Sequence, residues 1–292
     1  MEIASCLQSL ISRQKPDGSF IPRERVDARP DATAWGILGL RTGGAETEKL
    51  IERAREHLVK QQLPDGRVAV SEMHPYACWP TPLALLAWQG WPAGDAAAQK
   101  GLDFLEHLTV ATWKVEDKVN AIDATLHGWS WIAGTSCWVE PTAMAVFAFD
   151  RYGRAPERMK EGVKLLLDRQ LPHGGWNFGN TLVFGAELFP AEEYIGVALT
   201  GLAGHCEKAD VARSLDLIEK RIVSIRSPLA LSWGILGLAA WGRRPADADR
   251  WIAECLDRQQ YLGAFDTTHL ALLLLAGHCH DGLAGIFTAV HS

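Results

Sequence analysis

Leu165–Gly179 reads LLLDRQLPHGGWNFG: an apolar run ends at Gln170, a Pro-His-Gly-Gly turn follows, and Trp176 lies just beyond. The phrase recurs as Gln14-Lys-Pro-Asp-Gly18-Ser-Phe20, Gln62-Leu-Pro-Asp-Gly66-Arg-Val68 and Gln259-Gln-Tyr-Leu-Gly263-Ala-Phe265. Each copy is Gln, three residues, Gly, one residue, then an aromatic or apolar anchor. Repetition of this kind marks a chain built from repeated supersecondary units.

A run with apolar residues at three- and four-residue steps precedes each copy: Ile3–Arg13, Thr47–Lys60, Arg158–Arg169 and Ala246–Arg258. That period predicts amphipathic helices, stopped where Pro cannot continue and Gly takes the turn. Asp95–His107 and Lys208–Ser224 have the same helical pattern without the phrase. Between these runs lie six segments of another type, opening at Asp31, Thr81, Glu140, Glu192, Ser227 and Asp266 and continuing through Ala, Leu and Gly almost without charge. Helices apolar on every side are buried helices. Six buried helices alternating with six amphipathic ones predict an all-α fold. The expected form is a single (α/α)6 toroid over residues 1–292, with two concentric rings of helices; an open solenoid is the alternative. The connection Ala111–Val139 is the one long insertion and is rich in Trp; insertions of that length are often functional.

Bulk composition narrows the partners. With 48% hydrophobic residues the chain can bury a large core, and a net charge of −6 gives no basic face for nucleic acid. The first residues lack the layout of a signal peptide, and the longest apolar stretch, Leu270–Gly277, is far shorter than the roughly 20 residues of a membrane span. A cytoplasmic location is expected. The six cysteines are scattered and read as free thiols. No phosphate loop, nucleophile elbow or thioester motif is present, so no cofactor is expected.

Helix–Gln-xxx-Gly-x-Trp turns, alternating with inner helices that open near Thr33-Ala34 or Thr142-Ala143, resemble the terpene cyclase and protein prenyltransferase superfamily, squalene–hopene cyclases with their QW repeats in particular. The stretch GWSWIAGTSCWVEPTA (128–143) is similar to small bacterial prenyltransferase/squalene-oxidase-repeat proteins. The resemblance covers nearly the whole chain. It implies a hydrophobic isoprenoid ligand in a central cavity, and it allows peripheral contact with a membrane. The sequence leaves the oligomeric state open.

In class II cyclases the middle Asp of a DxDD-Thr-Ala motif protonates an alkene or epoxide. Aligned on Thr33-Ala34, this chain reads Arg29-Pro30-Asp31-Ala32: the middle Asp is kept, and the supporting acids are gone. A nearby Arg is expected to lower the Asp31 pKa and so weaken it as an acid. Glu140, flanked by Trp138 and the aromatic insertion, is the second candidate acid, because desolvation raises a carboxyl pKa. If all inner helices point one way, their openings form one mouth carrying Asp31, Thr81, Glu140, Glu192, Glu193, Asp266 and His269. The plain reading of such residues is helix capping and dipole complementation. Trp35, Trp79, Trp129, Trp131, Trp138, Tyr194 and Trp233 lie near the same openings, where rings stabilise cations or bind apolar chains.

Two other readings remain. One is a non-catalytic isoprenoid- or lipid-binding protein. The other is a zinc-dependent prenyltransferase-like enzyme, to whose last-helix segment Asp266-Thr-Thr-His269 is similar; the preceding inner helix, from Ser227, has neither matching ligand. A zinc site needs three or four ligands, so no metal is expected.

Overall fold

The computed structural model describes residues 3–114 and 122–288. Residues 115–121, inside the long insertion, lie outside them. Outer and inner helices alternate: α1 (Ile3–Ile11) and α2 (Pro30–Leu40), α3 (Glu48–Lys60) and α4 (Pro80–Trp88), α5 (Asp95–Glu106) and α6 (Val139–Tyr152), α7 (Pro156–Asp168) and α8 (Glu192–Leu202). The chain continues with α9 (Lys208–Arg221), α10 (Pro228–Ala239), α11 (Ala248–Asp257), a single turn α12 (Gln259–Leu262), α13 (Thr267–His278) and a short α14 (Gly285–Thr288).

The inner helices pack in the order α2, α4, α6, α8, α10, α13 and back to α2, so the ring is closed. Every residue of α2 and α4 is buried, as all-round apolar helices require. The outer helices cover the grooves. For example, α3 touches α2 and α4, α7 touches α6 and α8, and α9 touches α8 and α10. The outer helices bury one face only, as in α3, where Ile51, Ala54, Arg55 and Leu58 point inward. All-α packing in two rings is therefore the architecture, with a two-stranded hairpin, β1 (Leu182–Val183) and β2 (Ala186–Glu187), between α7 and α8.

Inner helices approach to backbone contact. A Cβ added at Gly196 of α8 would lie 2.1 Å from the Trp233 carbonyl oxygen of α10. No side chain fits there, so glycine sets the helix spacing.

The repeated phrase is the seam of the outer ring. Lys15 N–H donates to Ser19 O and Gly18 N–H to Lys15 O, and Leu63–Arg67 and Leu171–Gly175 close the same turn. The Gln side chain then reaches the next outer helix. Gln14 Nε2 donates to Leu50 O at 2.8 Å, Gln62 Nε2 to Ala97 O at 2.9 Å, and Gln170 Nε2 to Ser214 Oγ at 2.8 Å. Gly18, Gly66 and Gly174 hold φ of 92°, 93° and 95° against the backbone of Arg53, Lys100 and Arg213. The positive φ and the contact both demand glycine. The fourth copy differs. Gln259 folds back to accept from Phe265 N–H at 2.9 Å, and α12 replaces the turn. Ring closure there uses Arg13 Nη2 to Phe265 O and Thr267 Oγ1 to Ile21 O.

Gly196→Ala should lower stability by about 2 kcal/mol or more, because the added carbon must push α8 from α10. Urea denaturation checks this; an unchanged midpoint would mean that the two helices are not held at backbone contact.

Candidate active site

The outer-to-inner connections meet at one end of the ring, where the inner helices begin. Thr267 N–H donates to Pro22 O (2.8 Å), and Cys78 N–H donates to Trp131 O (2.8 Å), so neighbouring connections hold one another.

Three of the six inner-helix openings are anchored by a threonine hydroxyl. Thr33 Oγ1 accepts from Phe20 N–H (3.0 Å), Thr81 Oγ1 from Val68 N–H (3.1 Å), and Thr142 Oγ1 from Trp129 N–H (2.9 Å), each pair 13 residues apart. This reveals a third copy of the anchor that the insertion disguises. Trp129 stands where Phe20 and Val68 stand. Its indole N–H donates to Leu105 O of α5 (2.9 Å), as that of Trp176 donates to Leu166 O of α7 (2.7 Å). Trp129 is fully buried between the rings with Arg158 over its face at 3.9 Å. The sequence signal was the Thr 13 residues after an aromatic or apolar anchor.

Capping explains less than expected. Among the six openings only Asp266 caps its helix, accepting from His269 N–H at 2.9 Å. Glu192 instead pairs with Arg221 at 3.0 Å. The Pro at the first turn of α2, α4 and α10 starts those helices.

Asp31 is buried and clamped. Arg29 donates from Nε to Oδ1 at 2.8 Å and from Nη2 to Oδ2 at 2.7 Å. Burial pushes its carboxyl above the ordinary range, and the Arg29 contacts pull it down by less. The expected lowering by Arg29 is thus present but outweighed. The clamp still matters for chemistry, because both oxygens already accept from a cation and neither needs a proton.

Glu140 has different neighbours. Burial raises its carboxyl pKa, and the Trp131 indole N–H, donating toward it, opposes that. The charge of Glu193, on the adjacent inner helix α8, raises it further. Tyr194 belongs to the same group: burial first, then Glu140 and Glu193, pushes its hydroxyl up to about 12. Trp131 stacks on Trp138 at 5.4 Å and 21°, and Trp138 meets Phe178 at 5.7 Å. Glu140, Glu193, Tyr194, Trp131 and Trp138 are all half-buried.

The other rings have contacts of their own. Trp35 of α2 and Trp233 of α10 meet edge to face at 5.9 Å although α13 separates their helices, and both are buried. Trp79 sits at the start of α4. His269 contacts Asp266 at 3.3 Å and the Phe265 ring at 6.0 Å. Among the described residues no three His, Cys, Asp or Glu side chains converge.

The turn α14 lies against the opposite end of the ring. Phe287 of α14 packs on Phe147 of α6 at 6.2 Å, with the Arg41 guanidinium 4.9 Å from its ring centre. A cavity of 240 Å³ between the insertion and the α7–α8 connection shares Trp138 with the group around Glu140. A second, of 690 Å³, runs along α7 past Met159, Val163 and His205.

No protein-family model matches the chain, and no curated protein does. Solved structures do. A protein from Actinoplanes is similar at 17% identity and a TM-score of 0.66, over 98% of this chain and 100% of that one. The type II terpene cyclase MstE from Scytonema, in complex with geranylgeranyl dihydroxybenzoate, is similar at 16% identity and 0.60, over 94% and 97%. An α-1,6-mannanase of Salegentibacter, in complex with α-1,6-mannotriose, is similar at 11% and 0.56, over 94% and 97%. At these identities the likeness is one of fold: the closed double ring of helices is similar in a type II terpene cyclase and in an α-1,6-mannanase alike.

Proposed function

We propose that this protein binds an isoprenoid at the end of the ring where the inner helices begin, and that Glu140 initiates its cyclisation or isomerisation by protonation. The observation that carries the reading is the grouping of Glu140 with a second carboxyl and stacked indoles. Burial and the Glu193 charge favour the neutral acid, which has a proton to give. Protonating one end of a double bond leaves a cation on the neighbouring carbon, and the next double bond attacks it. Loss of a proton from carbon ends the sequence, so the reaction is an isomerisation overall. Rings such as Trp131, Trp138 and Tyr194 attract the cation through their faces. The fold shared with a cyclase that holds a geranylgeranyl compound supports the substrate class. Asp31 is assigned a structural role, since the Arg29 clamp satisfies both its oxygens.

A second reading is a binding protein without turnover. It is favoured by the same clamp, because the one Asp retained from the cyclase motif is tied to Arg29. The zinc reading has only Asp266 and His269 in contact.

Incubation with squalene and with geranylgeranyl compounds separates the two. Cyclic product, reduced about 100-fold or more by Glu140→Gln and only a few-fold by Asp31→Asn, is the expected result. If Asp31→Asn abolishes product and Glu140→Gln does not, the assignment is wrong. Lipid bound without product selects the binding protein.

The raised pKa also has a stability consequence. Folded Glu140 holds its proton to higher pH than unfolded Glu140 does. Stability therefore falls as pH rises from the ordinary carboxyl range through the folded value. Glu140→Gln should flatten that fall and be relatively more stable at neutral pH. Melting temperatures of both proteins across pH 4 to 8 test this; parallel curves would show that Glu140 titrates normally.

A further inference from the structure

The 690 Å³ cavity is bounded by α7, the end of α6 and the α8–α9 connection, so it lies on the flank of the ring and begins at the end away from Glu140. Its volume is that of a small-molecule site. It shares no residue with the Glu140 group, so a ligand there is independent of the isoprenoid reading.

Spacing on α7 makes its floor. Met159, Val163 and Leu167 recur every four residues and share one face of the helix. Lys160 and Lys164 each follow by one residue and form a parallel basic row beside them. Met159 is buried, Val163 and Leu167 are half-buried, and both lysines are exposed. The groove therefore has an apolar bed with ammonium groups along one edge. The helical rise makes that bed about 12 Å long, the length of an extended alkyl chain of about ten carbons. Met159 adds an adaptable surface for such a chain. Beyond Leu167, the Gln170 Nε2 bond to Ser214 Oγ joins α7 to α9 at 2.8 Å, and the bed ends there.

The groove is open because no large side chain enters it. At two other inner-to-outer connections a tryptophan just past the inner helix covers an earlier helix. Trp91 lies on Arg55 of α3 at 5.8 Å, and Trp241 Nε1 donates to Leu199 O of α8 at 2.9 Å. The α8–α9 connection carries Gly204 and His205 at that offset. The His205 ring turns to Asp150 near the end of α6, 3.4 Å away. Gly153 and Gly204, at the open end of the groove, have no atom within 4 Å of where a Cβ would lie, so the entrance is bare backbone.

We propose that this groove binds a medium-chain acyl carboxylate, with its chain along Met159, Val163 and Leu167 and its carboxylate turned to the lysine edge. The charge of the lining selects the head group. Arg154, Lys160 and Lys164 face one carboxylate, Asp150, which Arg151 and His205 already hold. Arg154 is engaged by Asp103 and Glu106 of α5. Lys160 pairs with Glu157 at 2.7 Å, but both are exposed, and such a pair exchanges readily for another anion. A single helix face, closed at one end, suits one flexible chain better than a partner helix, which needs a groove several turns long.

The test is titration of the full chain, with isotope-labelled methionine methyl groups, by decanoate, hexanoate and decanol, followed by NMR. Decanoate should shift the Met159 signal, assigned through Met159→Leu, in a saturable way. Hexanoate, with four fewer methylenes, should bind about 100-fold more weakly. Decanol, without the charge, should bind about tenfold more weakly than decanoate. The double variant Lys160→Glu/Lys164→Glu should weaken decanoate about tenfold or more and leave decanol unchanged. His205→Trp, which supplies a ring at the open offset, should abolish the shift. An unmoved Met159 signal, decanol bound as tightly as decanoate, or equal decanoate binding by the lysine variant overturns the proposal. So does a shift of Met73, at the Glu140 end, while Met159 stays still, because decanoate would then sit elsewhere.

Discussion

Six helices without a polar face constrain everything else in this molecule. An amphipathic helix can lie on a surface, but one like α2 must have protein on every side. Two inner neighbours cover its flanks, an outer helix pair covers its back, and the facing inner helices cover its front. Only a closed ring meets that demand for all six at once. Close packing then follows from sequence detail. Gly196 brings α8 to the backbone of α10, and Gly39 and Gly201 do the same at neighbouring contacts. The grouping of the outer-to-inner connections at one end follows as well, because parallel inner helices must start together.

The architecture was legible because it is written in periodicity. The helical spacing of Thr47–Lys60 became α3 (Glu48–Lys60), and the uncharged run from Asp266 became α13 (Thr267–His278). Physical reasons explain what was hidden. Only the Thr142 that follows 13 residues later distinguishes Trp129 from Trp131, yet one anchors a helix opening and the other stacks on Trp138. They lie two residues apart in an irregular connection, where no period operates. The sequence also could not rank Arg29 against burial at Asp31, since burial depends on the whole ring. Nor could it pair Glu140 with Glu193, which are far apart in the chain and adjacent only because α6 and α8 are ring neighbours.

Asp31 and Glu140 show how one side-chain chemistry is given two characters by its surroundings. Both carboxyls sit in the first turn of an inner helix, and burial raises both. A guanidinium fixes the first as an acceptor. A like charge and an indole N–H surround the second, which keeps the proton question open.

The seams carry a consequence for how the ring is made. The Gln contacts at the first, second and fourth outer helices span 36, 35 and 44 residues. The closing contacts of Cys6, Arg13 and Thr267 span 264, 252 and 246. Loop-closure entropy makes the last kind costlier by about 2 kcal/mol each time it must form unaided. Each unit can therefore dock on its predecessor as the chain emerges, growing an arc from the amino terminus. Closure comes last and joins the two most distant parts of the sequence. Until that moment α1 and α13 both present bare apolar flanks, so the final join is the step at which an unfinished arc is most exposed to aggregation.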